Sequence, residues 1–95
     1  MSESQRRLVH NQGATQYELL IDGVRAGYLD YEVAGEMIVM HTTFVSEEFK
    51  GQGLGGAIVE AALQDVRANG RKVIARCPFV QAYLTKHPEY AELVA

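Results

Sequence analysis

The chain has 95 residues, with 9 Lys and Arg set against 12 Asp and Glu for a formal net charge of −3. That length leaves room for one domain, since domains run from about 50 to 250 residues, and 47% hydrophobic with 22% charged residues is a globular balance rather than a disordered or fibrous one. An acidic chain lacks the concentrated positive field of a general nucleic-acid binder, and no apolar run approaches the roughly 20 residues of a membrane span.

A single cysteine, Cys77, cannot close an internal disulfide, which points to a reducing, cytoplasmic setting. The polar stretch from Met1 to Arg7 has no apolar segment behind it, so no signal peptide is expected and residues 1–7 are expected to be flexible.

In chain order, Leu8 to Asn11 is a short strand candidate, and Thr15 to Ile21 places Tyr17, Leu19 and Ile21 on one face by alternation. Asp22-Gly23 then suits the positive φ angles of a type I′ hairpin turn. Val24 to Val33 is the return strand, and Ala34-Gly35 turns the chain again. Within Glu36 to Val45, the run Met37, Ile38, Val39, Met40 is that of a central strand buried on both faces.

The period changes after Gly51. Leu54, Ile58, Val59, Ala62, Leu63 and Val66 fall on one face of a helix from Gly53 to Asn69, with Glu60, Gln64 and Arg67 opposite. Asn69-Gly70 supplies the stop. Lys72 to Cys77 reads as another strand, joined in parallel to the Glu36 to Val45 strand through the helical crossover. Pro78 ends that strand, Val80 to Lys86 is a short helix, and Glu89 to Val94 is one further turn. The expected architecture is α+β: an antiparallel strand meander, a long helix after a glycine loop, then a parallel strand and short C-terminal helices, all in one domain.

The segment Lys50-Gly51-Gln52-Gly53-Leu54-Gly55-Gly56 bears most directly on function. Gly55 and Gly56 fall in the first helical turn, where each is less favourable than Ala by about 1 kcal/mol, so close approach to the backbone is expected there. The first amides of a helix lack internal partners, and no Ser, Thr, Asp or Asn precedes them. Together with the positive dipole end they make an anion site suited to a diphosphate. A Walker loop needs Lys and then Ser or Thr after the last glycine, whereas Ala57 and Ile58 follow Gly56. Gly51, Gly53 and Gly56 match G-x-G-x-x-G, but no acidic residue stands between Arg71 and Arg76 to take the ribose of a dinucleotide.

Val45 to Gly55 resembles the acetyl-CoA signature R/Q-x-x-G-x-G/A of the GNAT N-acetyltransferase superfamily, departing only at Lys50. The resemblance extends to a minimal, roughly hundred-residue GNAT-like subfamily through His41-Thr42, Cys77-Pro78-Phe79 and Leu84-Thr85-Lys86-His87-Pro88-Glu89-Tyr90. It implies an acetyl-CoA-binding domain without a metal, in which the coenzyme lies between diverging strands. Its pantetheine arm would pair with backbone at Phe44 and Val45, and its diphosphate would meet Gln52, Gly53, Leu54, Gly55 and Gly56. Lys50, Arg71 and Arg76 are the candidates for the ribose phosphate. The partner would be a small-molecule or protein amine, met by a monomer or weak homodimer.

Transfer to an amine with pKa near 10.4 requires a proton to leave at a cost of about 4.6 kcal/mol at neutral pH. His41 is the candidate base, because an imidazole titrates near neutrality. Cys77 is the second candidate catalytic residue, as acyl-accepting nucleophile or as a partner of the coenzyme sulfur, with burial for packing as the alternative. His10 and His87 have little to recommend them. The resemblance places the family's Tyr acid where Leu84 stands, with Tyr83 beside it. Two readings follow: an N-acetyltransferase with an open acceptor groove, or a CoA-binding module with little turnover.

Overall fold

The computed structural model describes residues 5–95. Its order is β1 (Arg6–Asn11), β2 (Gln16–Ile21), β3 (Val24–Ala34), β4 (Met37–Val45), α1 (Leu54–Ala68), β5 (Lys72–Ala75) and α2 (Pro78–Lys86), with short 3-10 turns at Gln12–Ala14, Glu47–Phe49 and Pro88–Leu93. The five strands lie in sequence order, antiparallel from β1 to β4 and parallel between β4 and β5. The expected meander and crossover are therefore present. Of the stretch expected to be flexible, residues 1–4 lie outside the described residues, whereas Arg6 and Arg7 already pair with Ile21 and Leu20 in β1.

Alternation in the first strands puts Tyr17, Leu19 and Ile21 of β2 beside Ala26, Leu29 and Tyr31 of β3, all buried against α1. The helix covers that face with Leu54, Ile58, Val59, Ala62, Leu63 and Val66, the spacing of a single helical stripe. Asp22 (φ 50°) and Gly23 (φ 82°) both take the positive angles expected of the β2–β3 hairpin. At its far end α1 stops in a Schellman arrangement. Gly70 is left-handed at φ 66°, Arg71 N–H reaches the Val66 carbonyl at 3.0 Å, and Gly70 N–H reaches Arg67 at 3.1 Å.

The boundaries on either side of Cys77 differ from the sequence expectation. Strand β5 ends at Ala75 rather than Cys77, and Pro78 opens α2 instead of merely closing the strand. Both follow from one cause. Proline has no N–H to give a sheet ladder but suits the first helical position, so Cys77 becomes the extended residue that precedes the helix. The second turn sits at Gly35-Glu36, one residue later than expected, with Gly35 at φ 63°.

Strand β4 is central, as its apolar run suggested, with Ile38, Val39 and Met40 buried. Its second half is different. Asp30 pairs with Thr42 but Tyr31 pairs with Met40, so His41 is an extra residue bulged out of the ladder. Pairing with β5 covers only Met37 to Met40. Beyond it, the Arg76 and Cys77 N–H groups both donate to the Met40 carbonyl, each at 3.0 Å, and the chain turns away into α2.

Candidate active site

Bulge and departure coincide, and together they open the sheet. From Thr42 to Val45 strand β4 keeps β3 on one side and, among the described residues, has no strand on the other. Phe44 is turned toward β3, where its carbonyl would lie 2.6 Å from a Cβ at position 27, and the Ser46 N–H donates to Ala26 in β3 at 2.7 Å. Because successive residues of a strand point their N–H groups to opposite edges, the amides facing the opening belong to Thr43 and Val45. The Phe44 amide, named with Val45 as the pantetheine partner, faces the wrong way. The Phe44 ring instead stacks on Tyr28 at 5.2 Å on the sheet face away from α1.

The glycine loop borders the same opening. Gly51 (φ 85°) and Gly53 (φ 73°) hold left-handed angles that bring the chain from the Glu47–Phe49 turn into α1. The first helical bond runs from Ala57 N–H to the Gly53 carbonyl at 3.3 Å, which leaves the N–H groups of Leu54, Gly55 and Gly56 without an intrahelical acceptor. No side chain among the described residues caps them, and the first turn carries no carboxylate to neutralise the dipole. Lys50 stands at the loop entrance with its ammonium 3.4 Å from Glu47.

The two glycines of the first helical turn differ in what surrounds them. A Cβ on Gly55 would come within 2.8 Å of the Phe79 ring, so packing against α2 explains that residue without a ligand. A Cβ on Gly56 would meet only Tyr83, at an ordinary 3.8 Å, and nothing in the packing requires glycine there.

These features have counterparts among known proteins. Residues 16–93 match the family model for GCN5-related N-acetyltransferases. The chain belongs to that family. Among solved structures it is similar to a GCN5-like candidate N-acetyltransferase from Staphylococcus aureus determined by NMR, at 27% identity and a TM-score of 0.72, over 100% of this chain and 91% of the other. No match is found among curated proteins.

Within this GNAT fold the two candidate catalytic side chains stand apart. Cys77 is buried, with its sulfur 3.4 Å from the Thr43 hydroxyl. Burial pushes the thiol pKa up, but hydrogen bonds from the Thr43 hydroxyl and from the Val80, Phe79 and Thr43 amides outweigh it, and the net displacement is downward. Thr43 pairs with buried Leu29 and so lies on the α1 face of the sheet. His41 is exposed and its Nε2 lies 3.0 Å from Glu32, which alternates with buried Tyr31 and therefore lies on the other face. The edge between Thr43 and Val45 separates the two.

Tyr83 is also turned elsewhere. Its hydroxyl donates to Glu60 of α1 at 3.4 Å, its ring stacks on His87 at 4.0 Å, and burial together with the Glu60 charge pushes its pKa up to about 12. Leu84 packs against the core. Of the three cations considered for a ribose phosphate, Lys50 lies at the loop and Arg76 is exposed beyond β5, while Arg71 lies past the opposite end of α1.

Sequence reasoning missed a polar cluster at that opposite end. His10 stacks on Tyr17 at 4.2 Å, its Nε2 lies 2.6 Å from the Tyr31 hydroxyl, and its Nδ1 lies 3.3 Å from Asp65, to which Tyr17 donates at 2.7 Å. A signal for it existed. Asp65 falls between Ala62 and Val66 in the apolar stripe of α1, where a carboxylate needs partners.

Proposed function

We propose that the protein is an acetyl-CoA-dependent N-acetyltransferase acting on an amine that reaches an open groove. The observation that carries this reading is the edge of β4 beyond its pairing with β5, where the Val45 amide is left without a strand partner among the described residues, together with the uncapped N-terminus of α1. The first suits an amide-bearing arm and the second a diphosphate. The donor set fits the coenzyme: Gln52 to Gly56 would hold its diphosphate, Val45 its pantetheine arm, and Lys50 or Arg76 its ribose phosphate. Bound acetyl-CoA supplies an activated thioester.

His41 donates its Nε2–H to Glu32, a carboxylate that can only accept, and so keeps Nδ1 as the lone-pair nitrogen able to take a proton from the acceptor's ammonium, which frees the neutral amine to attack. The Val45 N–H is available to a developing oxyanion, which leaves its carbonyl to accept from the pantetheine arm. Cys77, with its thiol already biased toward ionisation, would return a proton to the departing sulfur. Direct attack by the amine is preferred to an acyl-Cys77 intermediate. A second reading, a CoA-binding module with little turnover, is favoured by Leu84 in place of the family's Tyr and by the engagement of Tyr83 with Glu60.

Thermal unfolding with and without acetyl-CoA tests binding. At one hundred times its dissociation constant the ligand adds about 2.7 kcal/mol, a rise on the order of 10 °C, and NADP at equal concentration adds much less. Free-thiol release across a panel of primary amines then separates the two readings. Binding without release leaves the module, and no stabilisation removes both.

A further inference from the structure

We infer a second ligand site, distinct from the acetyl-CoA groove, that takes a small monocarboxylate with an apolar body. A cavity of about 260 Å³ lies between the sheet and the C-terminal half of α1. It borders Asp65, eleven residues beyond Leu54, which at about 1.5 Å per residue places it about 16 Å from the glycine loop. That volume is below the roughly 300–1,000 Å³ of drug-sized sites, so its occupant is small.

The chemistry of the wall selects the occupant. His10, Tyr17, Tyr31 and Asp65 satisfy one another. Tyr17 donates to Asp65, His10 Nδ1 lies 3.3 Å from the same carboxylate, and His10 Nε2 shares a hydrogen bond with the Tyr31 hydroxyl. Burial, reinforced by the Asp65 charge, raises the pKa of both phenols, which keeps them protonated as donors within the network. Arg71 is the exception. It lines this cavity, and its guanidinium, with Nη1 fully buried, has no hydrogen-bond or ion-pair partner among the described residues. An unmet guanidinium donor in a partly desolvated site calls for an acceptor, and a carboxylate is the group its fork matches.

Val33, Ile38 and Val66 supply an apolar wall for the rest of the molecule. The rim adds a further sign. Thr15, a β-branched residue, is held at φ 49° with its carbonyl bonded to Tyr31 N–H at 3.0 Å. Such a residue is rarely left-handed, and that strain recurs at binding sites.

The test is an amide NMR titration of the full chain with butyrate and benzoate, against butyramide and benzamide at matched chloride. The carboxylates are expected to give saturable shifts at the amides of Tyr17, Tyr31 and Arg71, and the neutral amides at least tenfold weaker ones. Arg71→Met removes the unmet donor and should lose at least tenfold in carboxylate affinity, with Arg71→Lys intermediate. Carboxylate shifts that survive in Arg71→Met, neutral amides that bind equally well, or no saturable shift from either carboxylate would overturn the inference. If Arg71→Met does not fold, the comparison of carboxylate with amide on the unaltered chain decides.

Discussion

The Cys77 sulfur lies 3.4 Å from the Thr43 hydroxyl, and that contact joins the residue before α2 to the half of β4 that β5 has abandoned. It bridges the opening on the α1 side. Because hydrogen bonding favours the thiolate, Thr43→Val should raise the Cys77 pKa and move the pH midpoint of its thiolate absorbance upward. An acid whose pKa is depressed on folding stabilises the fold above its unfolded pKa, here 9.0, and that contribution disappears as pH falls through the folded value. Thr43→Val should therefore lower the melting temperature more above pH 9 than at pH 6. An equal loss at both pH values would mean that the contact matters only through packing.

Gly56 and Gly53 should respond in opposite ways to Ala. At Gly56 a Cβ meets only the Tyr83 ring at 3.8 Å, so Gly56→Ala gains helix propensity of about 1 kcal/mol. Melting should rise by a few degrees. At Gly53 a side chain must adopt φ 73°, and Gly53→Ala should cost about 1–2 kcal/mol. If a diphosphate approaches the first turn of α1, both variants bind acetyl-CoA more weakly. A Gly56→Ala protein that is stabilised and keeps full coenzyme affinity would remove that residue from the site.

Strands β2 and β3 and helix α1 were legible because their apolar residues repeat at 2.0 and 3.6 positions and because Asp22-Gly23 and Gly70 carry the angles their turns need. The groove was legible only through the glycine loop and a family resemblance. Its opening depends on one extra residue, His41, set between Met40 and Thr42 with no Gly or Pro to mark it. A bulge is defined by pairing across strands, which no local pattern contains. The His10 cluster was hidden for a similar reason, since a histidine in a short edge strand gains meaning only when a register places it against Tyr17 and a crossover brings Asp65 above it. Arg71 read as a candidate for the ribose phosphate, yet the turn after Gly70 directs it to the cavity instead.

Gly27 is the position where backbone meets backbone. A Cβ there would lie 2.6 Å from the Phe44 carbonyl oxygen and 3.0 Å from Ile58. No side-chain rotation relieves the first contact, so Gly27→Ala must displace β4 from β3 at a cost of about 1–3 kcal/mol. The displaced segment is the one that carries Thr43 and Val45. Urea unfolding should show a lower midpoint with little change in slope, and hydrogen exchange should quicken at Tyr28 and Ser46 first. A midpoint within error of the unaltered chain would show that the two strands can separate at this point without loss.

The Asp65 network should respond asymmetrically to removal of its members. Tyr17→Phe takes one donor from a carboxylate that is 38% exposed and can recruit water, so a loss of about 1 kcal/mol is expected. Asp65→Ala leaves a buried Tyr17 hydroxyl without its acceptor and removes the carboxylate beside His10 Nδ1, and the cost should be larger, about 1–3 kcal/mol. With both changed, the phenol no longer needs an acceptor, so the double variant should be less damaged than the sum of the two singles. Chemical denaturation of the four proteins measures that coupling directly. Simple additivity would mean that the 2.7 Å contact contributes nothing to stability.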